Sequence, residues 1–318
     1  MLTIEALNQK INLPILENES MAKYSTYRIG GPARFFVVVR NKQELLRALT
    51  VAKELELKYF VLGGGSNILV ADKGFDGLVI NTQDGEYQFE NNEVIAFAGV
   101  NLSVMIRDAV KKGLGGLEFA GNIPGMVGGG VRGNCGAYGQ GVGDFVAQVE
   151  VIVMDADLPY LKELTQSECE FAYRESIFKR HPELIIAEVK FVLKLDGLAE
   201  EKLKAISAEW QRRAEKQPLE CPSAGCSFKN IIYDDTSMSK YSAWSVQGKL
   251  AAGKFIEEAD LKGMKIGGAM VSDKHGNFII NTGKATADDV VQLISLVKTR
   301  VRNEFGINLE EEIQYVGF

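Results

Sequence analysis

A pair of glycine-rich segments restricts the fold of this chain more than any other sequence feature. The first glycine segment, VLGGGSNILV (61–70), has the pattern of a strand, a tight turn and further apolar residues. The second glycine segment, LEFAGNIPGMVGGGVRGNCGAYGQG (117–141), shows neither helical nor strand periodicity. Glycine loses more conformational freedom on folding than other residues, so such clusters indicate backbone that closely approaches another group. Long irregular segments in compact domains are usually functional.

The first glycine segment has the chemistry of a diphosphate site. Its glycines permit positive φ, so successive N–H groups can point at an anion, and Ser66 and Asn67 can add hydrogen bonds. It is not GxGxxG leading into a helix, so the common dinucleotide-binding fold is not indicated. A turn without a ligand would explain this segment alone equally well. The second glycine segment, stiffened by Pro124 and carrying Asn134 and Tyr138, favours an extended cofactor along it.

The bulk composition is that of an ordinary globular protein. Of 318 residues, 46% are hydrophobic and 25% are charged, and the length suits roughly two domains. The net charge of -6 argues against a nucleic-acid-binding protein, which would present a basic face. No apolar run reaches the ~20 residues that cross a bilayer. The start MLTIEALNQK lacks the pattern of a signal peptide, so we expect a cytoplasmic protein without a membrane partner.

The cysteines and histidines form no metal motif. There is no CxxC pair and no zinc-like spacing, and we expect reduced thiols and no bound metal. The residues considered are Cys135, Cys169, Cys221, Cys226, His181 and His275.

Apolar periodicity predicts two α/β lobes followed by a separate domain. We place the domain boundary near Gly197, where the composition changes, so that residues 1–196 form one domain and 197–318 the next. The lobes of the first domain cover about 1–82 and 83–196. Strands are expected at 34–39, 58–62, 78–81, 94–99, 146–156, 185–195 and 277–283, and helices at 41–55, 102–112, 198–216 and from Thr286 onward.

Eight motifs in order carry a resemblance to a known family. They are TYRIGGPA (26–33), LGGGSN (62–67), IPGMVGGGVRGNCGAYG (123–139), YRESIF (173–178), KQPLECPSAGCSFKN (216–230), AGKFIEEADLKGMKIGGA (252–269), NFIINTGKAT (277–286) and LEEEI (309–313). Together they resemble the UDP-N-acetylenolpyruvoylglucosamine reductase family of peptidoglycan precursor synthesis. The resemblance extends from about residue 20 to 317.

The resemblance implies a mixed α+β and α/β fold. It consists of a two-lobed FAD-binding domain of the vanillyl-alcohol-oxidase (PCMH) type and a C-terminal α/β substrate-binding domain. The implied activity is NADPH-dependent reduction of a UDP-N-acetylglucosamine enol ether to UDP-N-acetylmuramate. FAD is expected to be non-covalent, since no histidine or cysteine is placed for attachment. The implied partner is a nucleotide-sugar substrate, and a monomer is favoured although the sequence does not determine the oligomeric state.

The cofactor residues that the resemblance implies lie in three motifs. RIGG (28–31) is expected near FAD, and the two glycine segments are expected to hold its diphosphate and ring. The implied residues are Arg28, Ile29, Gly30, Gly31, Leu62, Gly63, Gly64, Gly65, Ser66, Asn67, Ile68, Ala120, Gly121, Ile123, Pro124, Gly125, Val127, Gly128, Gly129, Asn134, Ala137, Tyr138 and Gly139.

Three residues are assigned catalytic roles by the resemblance. Hydride from reduced FAD reaches C3 of the enolpyruvyl group, and C2 then requires a proton. Arg174 would bind the substrate carboxylate, because its cationic fork suits a carboxylate that gains charge. Cys226 would donate the proton at a position where most relatives carry serine, since a thiol is more acidic than an alcohol. Glu312 would act as the polarising or proton-bearing carboxyl.

Each catalytic assignment has an alternative. Arg174 could be an ordinary ion-pair partner of Glu175, and Cys226 could be a small apolar core residue with Ser227 as the donor. Glu312 could be a surface charge, with Glu310 as the working carboxylate.

Substrate contacts are implied for five residues, namely Tyr173, Arg213, Lys216, Gly225 and Asn230. For Arg213 and Lys216 the alternative is a solvated helix face.

The chain departs from the family at two places. It lacks the inserted loop that some members carry after YRxSIF. It also has an insertion, IIYDDTSMSKYSAWSVQGKLA (231–251), whose aromatic residues led us to the hypothesis of a lid over the nucleotide. The alternative is a plain surface loop.

Two other functions stay open, a flavin oxidase of the same superfold and an inactive homologue that only binds flavin or nucleotide sugar.

Overall fold

The computed structural model describes residues 4–318. The α-helices are α1 (Ile4–Ile11), α2 (Lys42–Glu54), α3 (Leu102–Lys111), α4 (Val127–Arg132), α5 (Ile177–Arg180), α6 (Ala199–Lys216), α7 (Asp235–Met238), α8 (Ala252–Glu258) and α9 (Ala287–Phe305). Among the described residues, no helix has the length and hydropathy to span a bilayer.

The strands are mostly short. They are β1 (Ile15–Ser20), β2 (Pro32–Val39), β3 (Tyr59–Leu62), β4 (Ile68–Val70), β5 (Phe75–Thr82), β6 (Tyr87–Glu90), β7 (Glu93–Phe97), β8 (Leu114–Gly115), β9 (Gly136–Ala137), β10 (Gln140–Gly141), β11 (Val146–Val153), β12 (Tyr160–Thr165), β13 (Leu184–Val192), β14 (Lys194–Leu195), β15 (Ser223–Cys226), β16 (Ile231–Ile232), β17 (Ser245–Val246), β18 (Lys249–Leu250), β19 (Lys265–Ile266), β20 (Ala269–Val271), β21 (Phe278–Asn281) and β22 (Gln314–Val316). Every helix and strand expected from periodicity is present, with ends shifted by a few residues.

Packing divides the described chain into two compact units. Unit 1 contains the residues up to Glu19, Ala33–Gly64 and Asp76–Trp210. Unit 2 contains Ser20–Pro32, Gly65–Phe75 and Gln211–Phe318. The units therefore interleave along the chain, unlike the single boundary expected near Gly197. The assignment of residues 1–196 to the cofactor and 197–318 to the substrate stays a prediction.

Unit 1 is built on two sheets with one continuous core. One sheet has the order β1-β2-β5-β3, and the other is antiparallel with the order β12-β11-β13-β7-β6. Helix α2 begins at Asn41, whose side chain accepts a hydrogen bond from the Glu44 N–H. Its first residue, Lys42, lies 2.7 Å from a Glu150 carboxylate oxygen on β11 and 3.4 Å from one of Glu188 on β13. The helix is thereby joined to the antiparallel sheet.

Unit 2 packs helix α9 against a four-stranded sheet of order β15-β21-β20-β19. The predicted N-cap Thr286 accepts from the N–H of Asp289, and the Asp289 carboxylate accepts from the Thr286 N–H in return. The backbone N–H groups of Thr286 and Gly268 hold the pKa of Asp289 below its usual value. The helix ends at Gly306, which has φ of 71°.

Strand β4 joins unit 2 through its pairing with the end of the chain. It runs parallel to β22, with Ile68 opposite Gln314 and Val70 opposite Val316. The Gly31 N–H donates to the Ala71 oxygen at 3.0 Å. These long-range bonds explain why residues 65–75 pack with the C-terminal part of the chain.

The insertion at 231–251 is a packed part of unit 2. The Tyr241 side chain is buried, its ring lies 5.0 Å from that of Phe255 and 5.3 Å from that of Trp244, and its hydroxyl donates to the Phe305 oxygen at 2.8 Å. The third aromatic residue, Tyr233, donates to Asp235 at 2.7 Å. Tyr241 is thus a core residue and Trp244 packs half-buried against it, which argues against a lid made by either ring.

Candidate functional site

The two glycine segments meet in unit 1, where Gly63 and Gly64 of the first lie against Gly125 and Met126 of the second. A Cβ added at Gly64 would lie 3.0 Å from the Gly125 Cα, and one at Gly63 would lie 3.5 Å from the Met126 Cβ. Backbone therefore faces backbone, as a phosphate cradle requires. The buried amide of Asn81 donates to the oxygens of Leu62 and Gly63 at 2.9 and 3.0 Å. Its Oδ1 meets no donor among the described residues.

Asn81 was not identified from the sequence. The only available signal was a polar residue at the end of the predicted apolar strand 78–81. The Asn81 amide thus satisfies two carbonyl groups at the start of the turn.

The second glycine segment contains a helix, so the expectation of an irregular loop was wrong. Residues Val127–Arg132 form α4 although three of them are glycines. Tertiary packing overrides their low helix propensity, since Val127 and Val131 are fully buried and the Val127 N–H donates to Val100 at 2.8 Å. On this helix Gly129 is exposed, and a Cβ added there would meet nothing within 4 Å. Both glycine segments thus offer side-chain-free surface, which fits an extended diphosphate cofactor.

The predicted carboxylate-binding residue Arg174 lies in a tight turn of unit 1, the Arg174 turn (172–175). Ala172 and Glu175 exchange two backbone hydrogen bonds of 3.1 Å across it. Arg174 has φ of 57°, a left-handed conformation that side chains other than glycine adopt at a cost of order 1 kcal/mol. Its Nη1 donates to the Gly136 oxygen at 3.0 Å, and the Asn134 amide donates to the Ala172 oxygen at 2.8 Å. The second glycine segment and the Arg174 turn are therefore brought together.

The alternative that Arg174 is an ion-pair partner of Glu175 depends on which other cations lie near Glu175. The Lys179 ammonium lies 3.9 Å from the Glu175 carboxylate, and Glu175 also favours the charged form of Arg132. Burial lowers the pKa of Arg132, and its buried Nη1 meets no acceptor among the described residues. Glu175 thus has two cationic neighbours besides Arg174. Nothing in the sequence singled out Arg132.

Four predicted site residues other than glycine have left-handed backbone, namely Arg28, Asn134, Tyr138 and Arg174. Such conformations concentrate at functional sites. The Asn134 amide is engaged at both ends, because its Oδ1 also accepts from the Gly143 N–H at 3.0 Å. The Asn134 side chain therefore joins the second glycine segment to Ala172 and Gly143. The hydroxyl of Tyr138 donates to Glu209 on α6.

The predicted proton donor Cys226 ends strand β15 in unit 2. It pairs with Phe278 on β21, and the preceding Gly225 has φ of 75° with open space where a Cβ would point. Cys226 is half-buried, whereas Ser227 is fully buried and its hydroxyl has no partner among the described residues. The Cys226 side chain is therefore the more accessible of the two.

Glu312 is joined to this strand end through the backbone. Its N–H donates to the Ser227 oxygen at 2.9 Å, and its oxygen accepts from the Asn67 amide at 3.0 Å. The structure thus brings together two of the three predicted catalytic residues, Cys226 and Glu312, in unit 2. Arg174 belongs to unit 1.

The two neighbouring carboxylates have structural partners. Glu310 is exposed and lies 2.6 Å from the Lys229 ammonium. Glu311 accepts from Lys298 at 2.6 Å and from the Tyr315 hydroxyl.

Several predicted cofactor glycines of unit 2 are required by the fold itself. A Cβ at Gly31 would lie 2.1 Å from the Asp72 oxygen, one at Gly65 would lie 1.9 Å from the Tyr24 oxygen, and one at Gly30 would lie 2.8 Å from the Val70 Cβ. These contacts explain the glycines without a ligand, so their role toward a cofactor stays a prediction. Packing in the core likewise explains a further set of predicted cofactor residues without a ligand, and their role toward a cofactor also stays a prediction. They are Ile29, Leu62, Ile68, Ala120 and Val127, whose side chains are buried.

The predicted substrate residues other than Gly225 lie in three places, the Arg174 turn, helix α6 and the segment after β15. Tyr173 lies in the Arg174 turn, with its ring centroid 5.6 Å from the Arg174 guanidinium carbon. The Arg213 Nε donates to Gln217 at 3.2 Å, and Lys216 at the end of α6 is exposed. The Asn230 Oδ1 accepts from the Ala252 N–H at 3.3 Å.

Comparison with known proteins gives consistent matches over the chain. Residues 217–316 match the model of the UDP-N-acetylenolpyruvoylglucosamine reductase C-terminal domain, and residues 33–158 match that of an FAD binding domain. The chain is 39% identical over 315 residues to the UDP-N-acetylenolpyruvoylglucosamine reductase of Carboxydothermus hydrogenoformans, covering 98% of this chain and 97% of the relative. With that of Solibacter usitatus it is 38% identical over 313 residues, covering 96% and 98%.

A solved structure supports the fold. The crystal structure of UDP-N-acetylenolpyruvylglucosamine reductase from Thermus caldophilus matches with a TM-score of 0.74 and 34% identity, covering 96% of this chain and 98% of that one. This match confirms the predicted fold class.

We expect Gly129→Leu to weaken FAD binding by about tenfold or more, because the new side chain would enter the open space in which we expect the cofactor to lie. The apo protein should keep its melting temperature, since an added Cβ meets no protein atom within 4 Å. FAD titration of apo protein by flavin fluorescence measures the affinity. Gly133→Ala is the control, as its Cβ would lie at an ordinary 3.4 Å from the Gly129 oxygen. Unchanged affinity of Gly129→Leu would mean that FAD does not lie along this face of α4.

Proposed function

Because the chain belongs to the UDP-N-acetylenolpyruvoylglucosamine reductase family, we propose that it reduces the enolpyruvyl double bond of UDP-N-acetylglucosamine enolpyruvate with NADPH as the electron source. The observation that carries the proposal is similarity over nearly the full length of both chains. FAD, when bound, supplies the hydride for C3 of the enolpyruvyl group. The two glycine segments, which meet at Gly64 and Gly125, would hold its diphosphate.

Arg174 would bind the carboxylate of the enolpyruvyl group. As hydride reaches C3, negative charge develops at C2 and spreads into this carboxylate. A guanidinium held in one orientation stabilises that charge more than the charge of the ground state, which is what lowers a barrier. The hydrogen bond to Gly136 and the closed Arg174 turn support this role, because they hold the side chain before substrate arrives.

Cys226 would deliver the proton to C2. Its half-buried position contrasts with that of Ser227, whose hydroxyl is enclosed in the core. It also contrasts with that of Cys169, where burial raises the pKa to about 12. A thiol gives up a proton more readily than an alcohol, so cysteine suits the donor position.

Glu312 would be the carboxyl group that assists this proton transfer. The backbone bond from Glu312 to Ser227 ties it to the donor strand end. Glu310 is a poorer candidate, because it is exposed and paired with Lys229.

The visible spectrum of the purified holoenzyme tests the function. Anaerobic NADPH should bleach the flavin band, and the enolpyruvyl nucleotide sugar should restore it. A band that bleaches and returns only with oxygen, together with oxidation of sugars or alcohols, would indicate an oxidase instead. Absence of flavin after reconstitution with FAD would leave a protein that only binds a nucleotide sugar.

We expect Cys226→Ala to slow reoxidation of the flavin by substrate by at least about 100-fold, while reduction by NADPH stays unchanged. Cys226→Ser should retain most of the rate, because a hydroxyl can also donate a proton. Ser227→Ala is the matched control and should stay within about threefold of wild type, since it removes an unpaired buried hydroxyl. Anaerobic stopped-flow absorbance measures both half-reactions. A slow Ser227→Ala with a fast Cys226→Ala would reverse the assignment of the donor.

We expect Glu312→Gln to lower kcat by at least about 100-fold, because the side chain keeps its shape but loses the carboxyl group. Glu310→Gln removes only an exposed ion pair and should stay within about threefold of wild type. Steady-state NADPH oxidation measures both variants. If Glu310→Gln were the impaired one, the catalytic carboxylate would be Glu310.

A further inference from the structure

Asn277 holds the strand end that carries the proposed proton donor. Its Oδ1 accepts from the Phe228 N–H at 3.0 Å, and its Nδ2 donates to the Phe228 oxygen at 2.9 Å. The side-chain amide therefore pairs with Phe228 as a peptide group of a neighbouring strand would. Strand β21 begins at Phe278, so this pairing extends the ladder beyond the end of the strand.

The backbone of Asn277 adds a third bond. Its oxygen accepts from the Ser227 N–H at 2.8 Å. Asn277 thus binds both residues that follow Cys226. Its own N–H donates to His275 Nδ1 at 3.1 Å, which orients the residue.

The same stretch is bound on its other side by the C-terminal segment. The Ser227 oxygen accepts from the Glu312 N–H at 2.9 Å, and the Lys229 N–H donates to the Glu310 oxygen at 2.8 Å. Residues 226–229 therefore lie between Asn277 and the segment that carries Glu312. If the bonds to Asn277 were lost, the stretch could shift against the C-terminal segment, and the Cys226 thiol would change its position relative to Glu312.

Water cannot readily replace the Asn277 amide. The residue is 3% exposed and Phe228 is 1% exposed. Truncation would leave the N–H and the oxygen of Phe228 unpaired inside the core, and buried backbone groups without partners are strongly avoided. The stretch would relax to recover partners.

We infer that Asn277 is a positioning residue for the reaction, which sets the placement of the Cys226 thiol relative to Glu312. The expected effect of Asn277 on turnover rests on the proposed function. The expected effect of Asn277 on the reactivity of the Cys226 thiol does not. Asn277 acts through the backbone of Ser227 and Phe228 and needs no contact with substrate.

The test compares Asn277→Ala with Asn281→Ala. Asn281 lies at the other end of β21 and is also buried, but its amide bonds Tyr27, Gly283 and Ala285. Asn277→Ala should slow flavin reoxidation by substrate by about 10- to 100-fold, since misplacement of a reacting group by ~1 Å has effects of this size. Flavin reduction by NADPH should stay within about twofold of wild type in both variants.

The second readout is alkylation of Cys226 in apo protein by iodoacetamide, followed by peptide mapping across a range of pH. The background carries Cys221→Ser, so that the peptide contains a single thiol. Asn277→Ala should change the alkylation rate of Cys226 by roughly threefold or more, because thiol reactivity follows exposure and local environment. Asn281→Ala should leave it unchanged even if it lowers the melting temperature as much.

The two readouts separate the inference from the function. Equal behaviour of Asn277→Ala and Asn281→Ala in both assays would overturn the positioning role. Failure of wild type to reoxidise with substrate would refute the proposed function, and the alkylation rates would then decide the positioning role alone. If Asn277→Ala does not fold, Asn277→Asp keeps the shape and the acceptor for the Phe228 N–H, and the same comparisons apply.

Discussion

Direct approach of backbone to backbone is the constraint on which the candidate site residues of both units depend. In unit 1, Gly64 faces Gly125 with no side chain between them. In unit 2, the stretch after Cys226 lies between Asn277 and the segment before Glu312, joined by hydrogen bonds of 2.8 to 3.0 Å. Peptide groups have few conformational options, so side chains mounted on such contacts keep their places with little loss of entropy on binding.

Buried amide side chains complete these backbone contacts. Asn81, Asn134 and Asn277 each bond main-chain groups of a neighbouring segment, and each is at least nine-tenths buried. An amide carries a donor and an acceptor at a fixed angle, so it can stand in for a strand partner where no strand runs. Apolar residues could not satisfy these carbonyl and N–H groups, and buried backbone groups need partners.

The left-handed backbone of Arg174 shows that holding a side chain in place in this way costs free energy. A left-handed arginine is strained, yet the turn is closed by reciprocal bonds between Ala172 and Glu175 and is bound by Asn134. The surrounding contacts outweigh the strain and leave the guanidinium beside the second glycine segment. Arg132, a half-buried cation near Glu175, adds to the positive charge there.

The sequence by itself determined the elements and the family. Apolar periodicity located helices such as α2 and α9, because burial of one helix face leaves a pattern in the chain. The ordered motifs identified the reductase family and its flavin. The helix at Val127–Arg132 escaped this reasoning, since its glycines have low propensity and only packing of Val127 and Val131 holds it.

Only the tertiary structure decided how neighbouring residues that look alike in the sequence differ in their surroundings. Of three consecutive glutamates, Glu310 and Glu311 lie beside lysine ammonium groups, and the Glu312 backbone bonds Ser227, which follows Cys226. Adjacent Cys226 and Ser227 differ in burial, since Cys226 is half-buried at the end of β15 and Ser227 after it is fully buried. Such distinctions depend on contacts between residues far apart in the chain, such as Asn277 with Phe228, and a local pattern does not record them.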